Sequence, residues 1–224
     1  MQRSIPFLAE LTELTIWGNW EVAPRRGFAY GSRQIMPEDF VYFDLETIRS
    51  ANDVGGWDHK DKMGMSVGVT YSTATGKYII YPEKEAPLLI EQLKRADLVI
   101  GFNHVGFDYA VLQHYDMWDI TPLVKSFDIL LDIEKRLGHR LKLEDIAQPS
   151  LGVGKIAHGT DAITWWRAGR YRDVAEYCCF DVKVTRLVHE YGINNGHVKY
   201  VDRFGRQLTV EVDWKGPQPL PNET

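Results

Sequence analysis

The segment that most constrains the fold of this chain is residues 41–47, Val-Tyr-Phe-Asp-Leu-Glu-Thr. Apolar side chains at positions 41, 43 and 45 alternate with the carboxylates of Asp44 and Glu46. Because successive side chains of a strand point to opposite faces, both carboxylates project from the same face, one pleat apart. Their aromatic and β-branched neighbours are typical of a strand inside a sheet. Two like charges held together there cost free energy, which a divalent cation would offset.

The composition indicates a folded protein with a substantial core. The chain has 224 residues, enough for one large domain or two small ones, and 44% of them are hydrophobic. Its net charge of -5 does not indicate a polyanion binder, although a metal bound among carboxylates would reverse the sign locally. The two cysteines, Cys178 and Cys179, are adjacent in the sequence, and adjacent cysteines rarely form a disulfide with each other. We therefore expect reduced thiols and a cytoplasmic protein. No apolar run approaches about 18 residues, so we expect no membrane association.

From residue 40 onward the chain shows regular secondary-structure signals. Three strands in an antiparallel meander come first, and strands and helices then alternate, which predicts an α/β domain with a mixed β-sheet flanked by helices. We expect an N-terminal extension at 1–39, the domain at 40–195, and a C-terminal hairpin and tail at 196–224. The predicted strands are 41–47, 65–71, 77–81, 97–101, 126–129, 198–202 and 208–212, and the predicted helices are 85–96, 105–115, 129–137, 143–147 and 171–191.

Two further acids fall on helix faces that should be buried. Asp108 shares a helical stripe with Val111 and Leu112, although an acid favoured by the helix dipole near an N-terminus is an equal alternative. Asp181 lies in the middle of the apolar stripe of helix 171–191, one turn after Tyr177. Tyr177 is either the hydrogen-bond partner that a buried Asp needs, or it points its hydroxyl into a site shared with the other acids.

These four acids, Asp44, Glu46, Asp108 and Asp181, lie on elements expected to meet at one sheet. Oxygen ligands of this kind suit Mg²⁺ or Mn²⁺, and two such ions about 3.5–4 Å apart can support phosphodiester cleavage. A solvated strand face is the alternative for Asp44 and Glu46 taken alone. The seven histidines show no zinc-type spacing, so we expect no zinc site.

Three segments, residues 43–47, 101–108 and 177–181, resemble in order the three motifs of the DEDD superfamily of ribonuclease H-like 3′–5′ exonucleases. The last has the Tyr-x-x-x-Asp form of the tyrosine (DEDDy) branch, which includes the proofreading domains of family B DNA polymerases. Glu176 stands where the histidine branch has its His. The amino-acid sequence around residues 55–57 and 141–155 resembles that of a bacterial ribonuclease H-like group that is often fused to, or encoded with, helicases.

The resemblance implies a ribonuclease H-like fold and a two-metal site that releases nucleoside monophosphates. It implies that Asp44 bridges both metals, that Glu46 and Asp181 hold the metal that binds the attacking water, and that Asp108 reaches the second metal. It implies that Tyr177 orients that water. The implied substrate is the 3′ end of single-stranded DNA or RNA, and a helicase or other DNA-processing protein is an implied partner.

Substrate contacts are expected from Asn103, which would brace the substrate or the Asp108 turn, and from Lys155, although a lone loop lysine is more often solvated. Basic rims could guide the nucleic-acid backbone, with solvated helix faces as the alternative. Trp165 or Trp166 could stack on a base, although a core position for one of them is an equal alternative. The alternatives left open are an endonuclease or processing ribonuclease on the same fold, and a non-catalytic nucleic-acid or helicase-docking module. A module that only binds needs no water-orienting Tyr177. The basic rims are Arg136, His139, Arg140 and Lys142 on one side, and Arg167, Arg170 and Arg172 on the other.

Overall fold

The computed structural model describes residues 20–22, 38–153 and 159–216. Six strands form one sheet in the order β1-β4-β3-β2-β5-β6. The pairs β2/β3 and β3/β4 are antiparallel, whereas β1/β4, β2/β5 and β5/β6 are parallel. The predicted meander and mixed α/β sheet are therefore confirmed. The strands are β1 Trp20–Val22, β2 Phe40–Thr47, β3 Met65–Ser72, β4 Lys77–Pro82, β5 Leu98–Gly101 and β6 Ser126–Asp128.

Seven α-helices surround this sheet within the described residues, and short 3-10 turns join several of them. The C-terminal strands β7 His197–Val201 and β8 Gln207–Glu211 pair as a separate hairpin, as predicted. No helix among the described residues is long and apolar enough to cross a membrane. The helices are α1 Ala51–Val54, α2 Ala86–Arg95, α3 Asp108–Leu112, α4 Ile129–Leu137, α5 Leu143–Leu151, α6 Gly159–Arg167 and α7 Tyr171–Asn195.

The alternation of β2 assigns its side chains to two separate cores. Val41 and Phe43 pack with α2 and α3 on one face of the sheet. Phe40 and Tyr42 pack with α4, α5 and α7 on the other face. Asp44 and Glu46 continue the second set at a spacing of two residues, so both carboxylates face α7.

Three predicted element boundaries differ from those in the structure. Helix α3 begins at Asp108, because residues 101–107 form a loop in which Asn103 has a positive φ of 66°. Helix α5 continues to Leu151 with Pro149 inside it, where a loop was expected. The final boundary concerns α7, which was expected to end at Gly192.

Helix α7 runs through Gly192 and ends at Asn195, and the next residue, Gly196, adopts the left-handed conformation at φ 67°. The role of Gly192 is close packing, since a Cβ there would lie 2.2 Å from the Trp214 ring. This glycine lets the segment after β8 lie directly against α7.

The predicted domain boundaries stay a prediction. Of the predicted N-terminal extension, residues 20–22 form strand β1 at the edge of the sheet beside β4. Residues 1–19, 23–37 and the tail 217–224 lie outside the described residues. Both cysteines are free thiols, and Cys178 is buried.

Candidate metal centre

Three carboxylates from two elements converge on the α7 face of the sheet. Asp44 and Glu46 come from the second half of β2, and Asp181 comes from the middle of α7. One carboxylate oxygen of each lies within 4.8 Å of the other two. Glu46 is buried, with 8% of its surface exposed. The strand alternation and the helical stripe together place acids from distant parts of the sequence at one point.

Asp108 lies beside this group without belonging to it. It is the first residue of α3 and is buried, with 3% of its surface exposed. Its Oδ1 accepts a hydrogen bond of 3.1 Å from the backbone N–H of Leu45. Asp108 also lines the same cleft as the three clustered acids. This hydrogen bond therefore holds Asp108, the fourth predicted acid, against β2 at the residue between Asp44 and Glu46.

The acids strongly perturb one another. Burial raises the pKa of Asp44 and of Glu46 well above their usual values, and the charges of the neighbouring carboxylates raise them further. Burial raises the pKa of Asp108 from 3.8 to about 7, although the hydrogen bond from Leu45 opposes this rise. A divalent cation would oppose these shifts, because it stabilises the charged forms of all three groups.

Tyr177 lies one helical turn before Asp181 and lines the same cleft. Its ring packs edge-on against Trp165, with ring centroids 6.0 Å apart. Burial raises the pKa of Tyr177, and the charges of Asp181, Glu46 and Asp44 together with a hydrogen bond to Asp181 raise it further. The hydroxyl therefore stays protonated at neutral pH and can donate a hydrogen bond. Trp165 therefore packs on Tyr177, and its stacking on a base stays a prediction.

Cys178 contacts the site, which the sequence reasoning missed. Its thiol lies 3.4 Å from the Asp44 carbonyl oxygen and 3.7 Å from Asp44 Oδ2. Burial raises the pKa of this thiol well above its usual value, so it acts as a neutral donor to Asp44. Its position on the apolar stripe of α7 was the available signal, but the sequence does not show which strand residue it meets.

Asn103 lines the cleft, whereas Lys155 lies outside the described residues. The Asn103 Oδ1 accepts a hydrogen bond of 2.5 Å from Arg140 Nη2, and the Asn103 backbone N–H donates to Asp128 Oδ1 over 2.8 Å. Arg140, predicted as part of a basic rim, is thus joined to the second sequence motif.

The cleft that contains these residues has a volume of about 630 Å³. Arg49 and Trp57 are among the lining residues that were not predicted from the sequence as part of the site. Arg49 donates to the Lys62 carbonyl oxygen beside the carboxylates. Trp57 is 66% exposed and meets Phe107 edge-on, with ring centroids 6.3 Å apart. The Gly-Gly-Trp sequence at 55–57 was a signal for an ordered loop, but not for its place beside the acids.

Most of the predicted basic rim is neutralised by carboxylates. Lys142 lines the cleft and lies 3.9 Å from Glu144, and Arg136 pairs with both Asp132 and Asp213. These contacts make the rim a weaker guide for a polyanion than the sequence suggests. On the other side of the cleft the ion pairs are Arg167–Asp53 at 2.6 Å, Arg170–Asp173 at 2.8 Å and Arg172–Glu176 at 2.9 Å.

Comparison with solved structures identifies the fold. The structure is similar to that of the family B DNA polymerase from the hyperthermophilic archaeon Pyrobaculum calidifontis, with a TM-score of 0.53 and 15% sequence identity. The match covers 70% of this chain and 25% of the polymerase chain. No protein-family model and no curated protein sequence matches the chain. The mixed sheet, its helices and this similarity establish a ribonuclease H-like fold, which carries an acidic cluster that could hold a metal ion.

Proposed function

We propose that this protein is a metal-dependent 3′–5′ exonuclease that hydrolyses phosphodiester bonds of single-stranded DNA or RNA. The observation that carries the proposal is the convergence of Asp44, Glu46 and Asp181 within 4.8 Å of one another. The Tyr177 hydroxyl in the same cleft supports assignment to the tyrosine branch of the DEDD superfamily. The order of the three sequence motifs adds the direction of digestion by resemblance.

The chemistry of the donors fits a hard divalent cation. Each of the three clustered residues offers carboxylate oxygens, which Mg²⁺ and Mn²⁺ prefer to nitrogen or sulfur. Burial, and after it the repulsion between the carboxylates, raises the pKa values of Asp44 and Glu46, and a bound positive charge would offset both effects. Asp108 lies next to this group, and we propose that it serves a second cation.

Two cations bound here would supply a nucleophilic water at neutral pH and stabilise the leaving oxygen. The chain itself provides the positioning. Asp44 and Glu46 are fixed by the ladder that pairs β2 with β3, and Cys178 donates to Asp44. The protonated hydroxyl of Tyr177 orients the attacking water through a hydrogen bond, while Trp165 restrains its ring.

The resemblance to proofreading domains suggests that the quarter of the polymerase matched here is its exonuclease part. A separate unit spanning residues 40–195, a cytoplasmic location and a helicase or other DNA-processing partner are further parts of the proposal, and they rest on sequence alone. The non-catalytic alternative leaves the Tyr177 hydroxyl only its hydrogen bond to Asp181, whereas the exonuclease proposal also gives it the attacking water to orient.

The test is digestion of single-stranded DNA and RNA oligonucleotides labelled at the 5′ end, in Mg²⁺, in Mn²⁺ and in chelator. We expect a ladder of labelled products that shortens one nucleotide at a time from the 3′ end and disappears in chelator. A circular single strand should resist cleavage. The variant Asp181→Asn is the control for a contaminating nuclease and should be inactive. Cleavage of the circle, activity in chelator, or no activity with either metal would each contradict the proposal.

A further inference from the structure

One buried carboxylate outside the metal centre joins two parts of the chain. Asp128 is the last residue of β6 and the N-cap of α4, and 6% of its surface is exposed. Its Oδ1 accepts hydrogen bonds from the backbone N–H of Leu130 at 3.0 Å and of Leu131 at 3.4 Å. These two hydrogen bonds are the ones that an N-cap side chain usually accepts, and a Ser side chain would accept them as well.

The same carboxylate also holds the loop formed by residues 101–107. Oδ1 accepts from the Asn103 N–H at 2.8 Å, and Oδ2 accepts from the Val105 N–H at 3.1 Å. Four backbone N–H groups therefore converge on Asp128, and two of them belong to the loop that precedes Asp108. An N-cap alone requires no such contacts, so Asp128 has a second task.

The loop needs an external anchor because its conformation is unfavourable. Asn103 has a positive φ of 66°, which side chains other than Gly seldom adopt. His104 is 1% exposed, and within the part of the chain that the structure describes neither of its ring nitrogens has a hydrogen-bond partner. Its Nδ1 lies 3.6 Å from Asp128 Oδ2, and a Cβ at Gly101 would lie 2.7 Å from its ring. Burial lowers the pKa of His104 to about 4, so the ring is neutral and adds no full charge.

The loop that Asp128 anchors positions groups that line the cleft. The Oδ1 of Asn103 is engaged by Arg140, and among the described residues its Nδ2 has no partner, which leaves that donor for a substrate oxygen. The loop also sets the start of α3, because Phe107 N–H donates to the Asn103 carbonyl and Tyr109 N–H to the His104 carbonyl, each at 3.0 Å. Asp108 lies between these two residues.

We propose that Asp128 is a positioning residue of the candidate site, holding Asn103 and the first turn of α3 at the cleft without touching metal or substrate. The inference rests on the proposed exonuclease function for what the loop contacts. Asp128 lies outside all three sequence motifs and, on this inference, has a role in substrate binding. The Asn103 amide is the group through which this role acts on a phosphodiester oxygen of the single strand.

The test uses Asp128→Ser, which keeps a good N-cap for α4 but is too short to reach the loop. Asp132→Asn on the same helix is the matched control, because Asp132 contacts Arg136 and Trp214 and not the loop. Three quantities are measured on each folded protein: Mn²⁺ affinity by calorimetry, binding of a fluorescent single-stranded oligonucleotide in Ca²⁺, and kcat and KM in Mn²⁺. Backbone amide exchange of peptides covering 101–107 reports the loop directly.

We expect Asp128→Ser to leave the tightest Mn²⁺ site within about twofold of wild type, because Asp44, Glu46 and Asp181 are untouched. Oligonucleotide affinity and kcat/KM should each fall on the order of 10- to 100-fold, the loss typical of removing an outer hydrogen-bond partner of a site. Exchange in the loop should rise. Asp128→Asn, which keeps Oδ1 and its three contacts, should recover most of the loss, and Asp132→Asn should change stability only.

Faster loop exchange with unchanged oligonucleotide binding and kcat/KM would overturn the inference, because Asp128 would then be merely structural. An equal loss in Asp132→Asn would overturn it as well. If the wild type binds the oligonucleotide but hydrolyses none, the proposed function fails, while the binding and exchange measurements still decide the role of Asp128.

Discussion

The Asp108 carboxylate accepts a hydrogen bond of 3.1 Å from the backbone N–H of Leu45, the residue that separates Asp44 from Glu46. This contact ties the start of α3 to the central strand at the point where the acids emerge. It also explains how a fourth carboxylate is kept close to the other three, although the described residues place no ion-pair partner beside it. Burial destabilises the charged form of Asp108 and therefore raises its pKa to about 7.

Removing one charge from the cluster should stabilise the metal-free protein. Asp44→Asn relieves repulsion with Glu46, Asp108 and Asp181, whereas a typical point substitution loses about 1 kcal/mol. Millimolar Mn²⁺ should raise the wild-type melting temperature, by about 2.7 kcal/mol of stability at a hundredfold excess over Kd, and Asp44→Asn should lose most of that gain. Thermal melts in chelator and in Mn²⁺ measure both effects.

The control for that experiment is Asp173→Asn, an exposed acid of α7 that pairs with Arg170. It should show no gain in chelator and the full response to Mn²⁺. Destabilisation of the metal-free protein by Asp44→Asn, with a wild type indifferent to Mn²⁺, would mean that the carboxylates share no metal.

Asp108 contributes to the pH dependence of metal-free stability, beside Asp44 and Glu46, whose pKa values are also raised. Its pKa is about 7 in the folded protein and near 3.8 when unfolded, so the folded state holds a proton that the unfolded chain has lost between these values. Stability should therefore be greatest below pH 4 as far as this group is concerned, and fall by about 1–4 kcal/mol towards pH 7, at about 1.4 kcal/mol per pKa unit. Asp108→Asn should flatten that slope in chemical denaturation at a series of pH values; an unchanged slope would show that Asp108 does not titrate there.

Tyr177→Phe should separate the hydroxyl from the metal ligands. It keeps the ring against Trp165 and removes one positioned donor, so we expect a loss of kcat of about 10²-fold with Mn²⁺ affinity retained. Asp181→Ala should instead abolish activity. Tyr171→Phe on the same helix is the control and should stay near wild type. Full activity of Tyr177→Phe at low metal concentration would make Tyr177 a packing residue.

Gly192 offers a test of the packing between α7 and the C-terminal segment. A Cβ at this position would lie 2.2 Å from the Trp214 ring, so Gly192→Ala should cost about 1–3 kcal/mol by overpacking, despite the better helix propensity of Ala. In a double-mutant cycle, Trp214→Ala should remove most of that penalty. Stabilisation by Gly192→Ala alone would contradict the contact.

The parts of the fold that were predictable from sequence are those set by local pattern. The alternation in 41–47 predicts both faces of β2, and Gly138 ends α4 in the left-handed conformation, as expected for a C-terminal glycine. The end of α7 was not predictable, because the constraint on Gly192 comes from Trp214, which is distant in sequence.

The same distinction applies to the candidate site. Periodicity indicates which acids face inwards, and the structure brings Asp44, Glu46 and Asp181 together. Periodicity does not reveal that Asp108 binds the Leu45 backbone, because α3 begins at that residue only after an irregular loop. The loop in turn depends on Asp128, whose sequence neighbours indicate nothing beyond a helix cap.

The most direct test of the metal centre is the anomalous scattering of Mn²⁺ in crystals of the wild-type protein. We predict a strong peak among the Asp44, Glu46 and Asp181 carboxylates at about 2.1 Å from their oxygens, with a second, weaker peak towards Asp108. Asp44→Asn crystals prepared in the same way should lose the strong peak. Absence of manganese from these carboxylates, with ordered manganese bound elsewhere on the protein, would contradict the account.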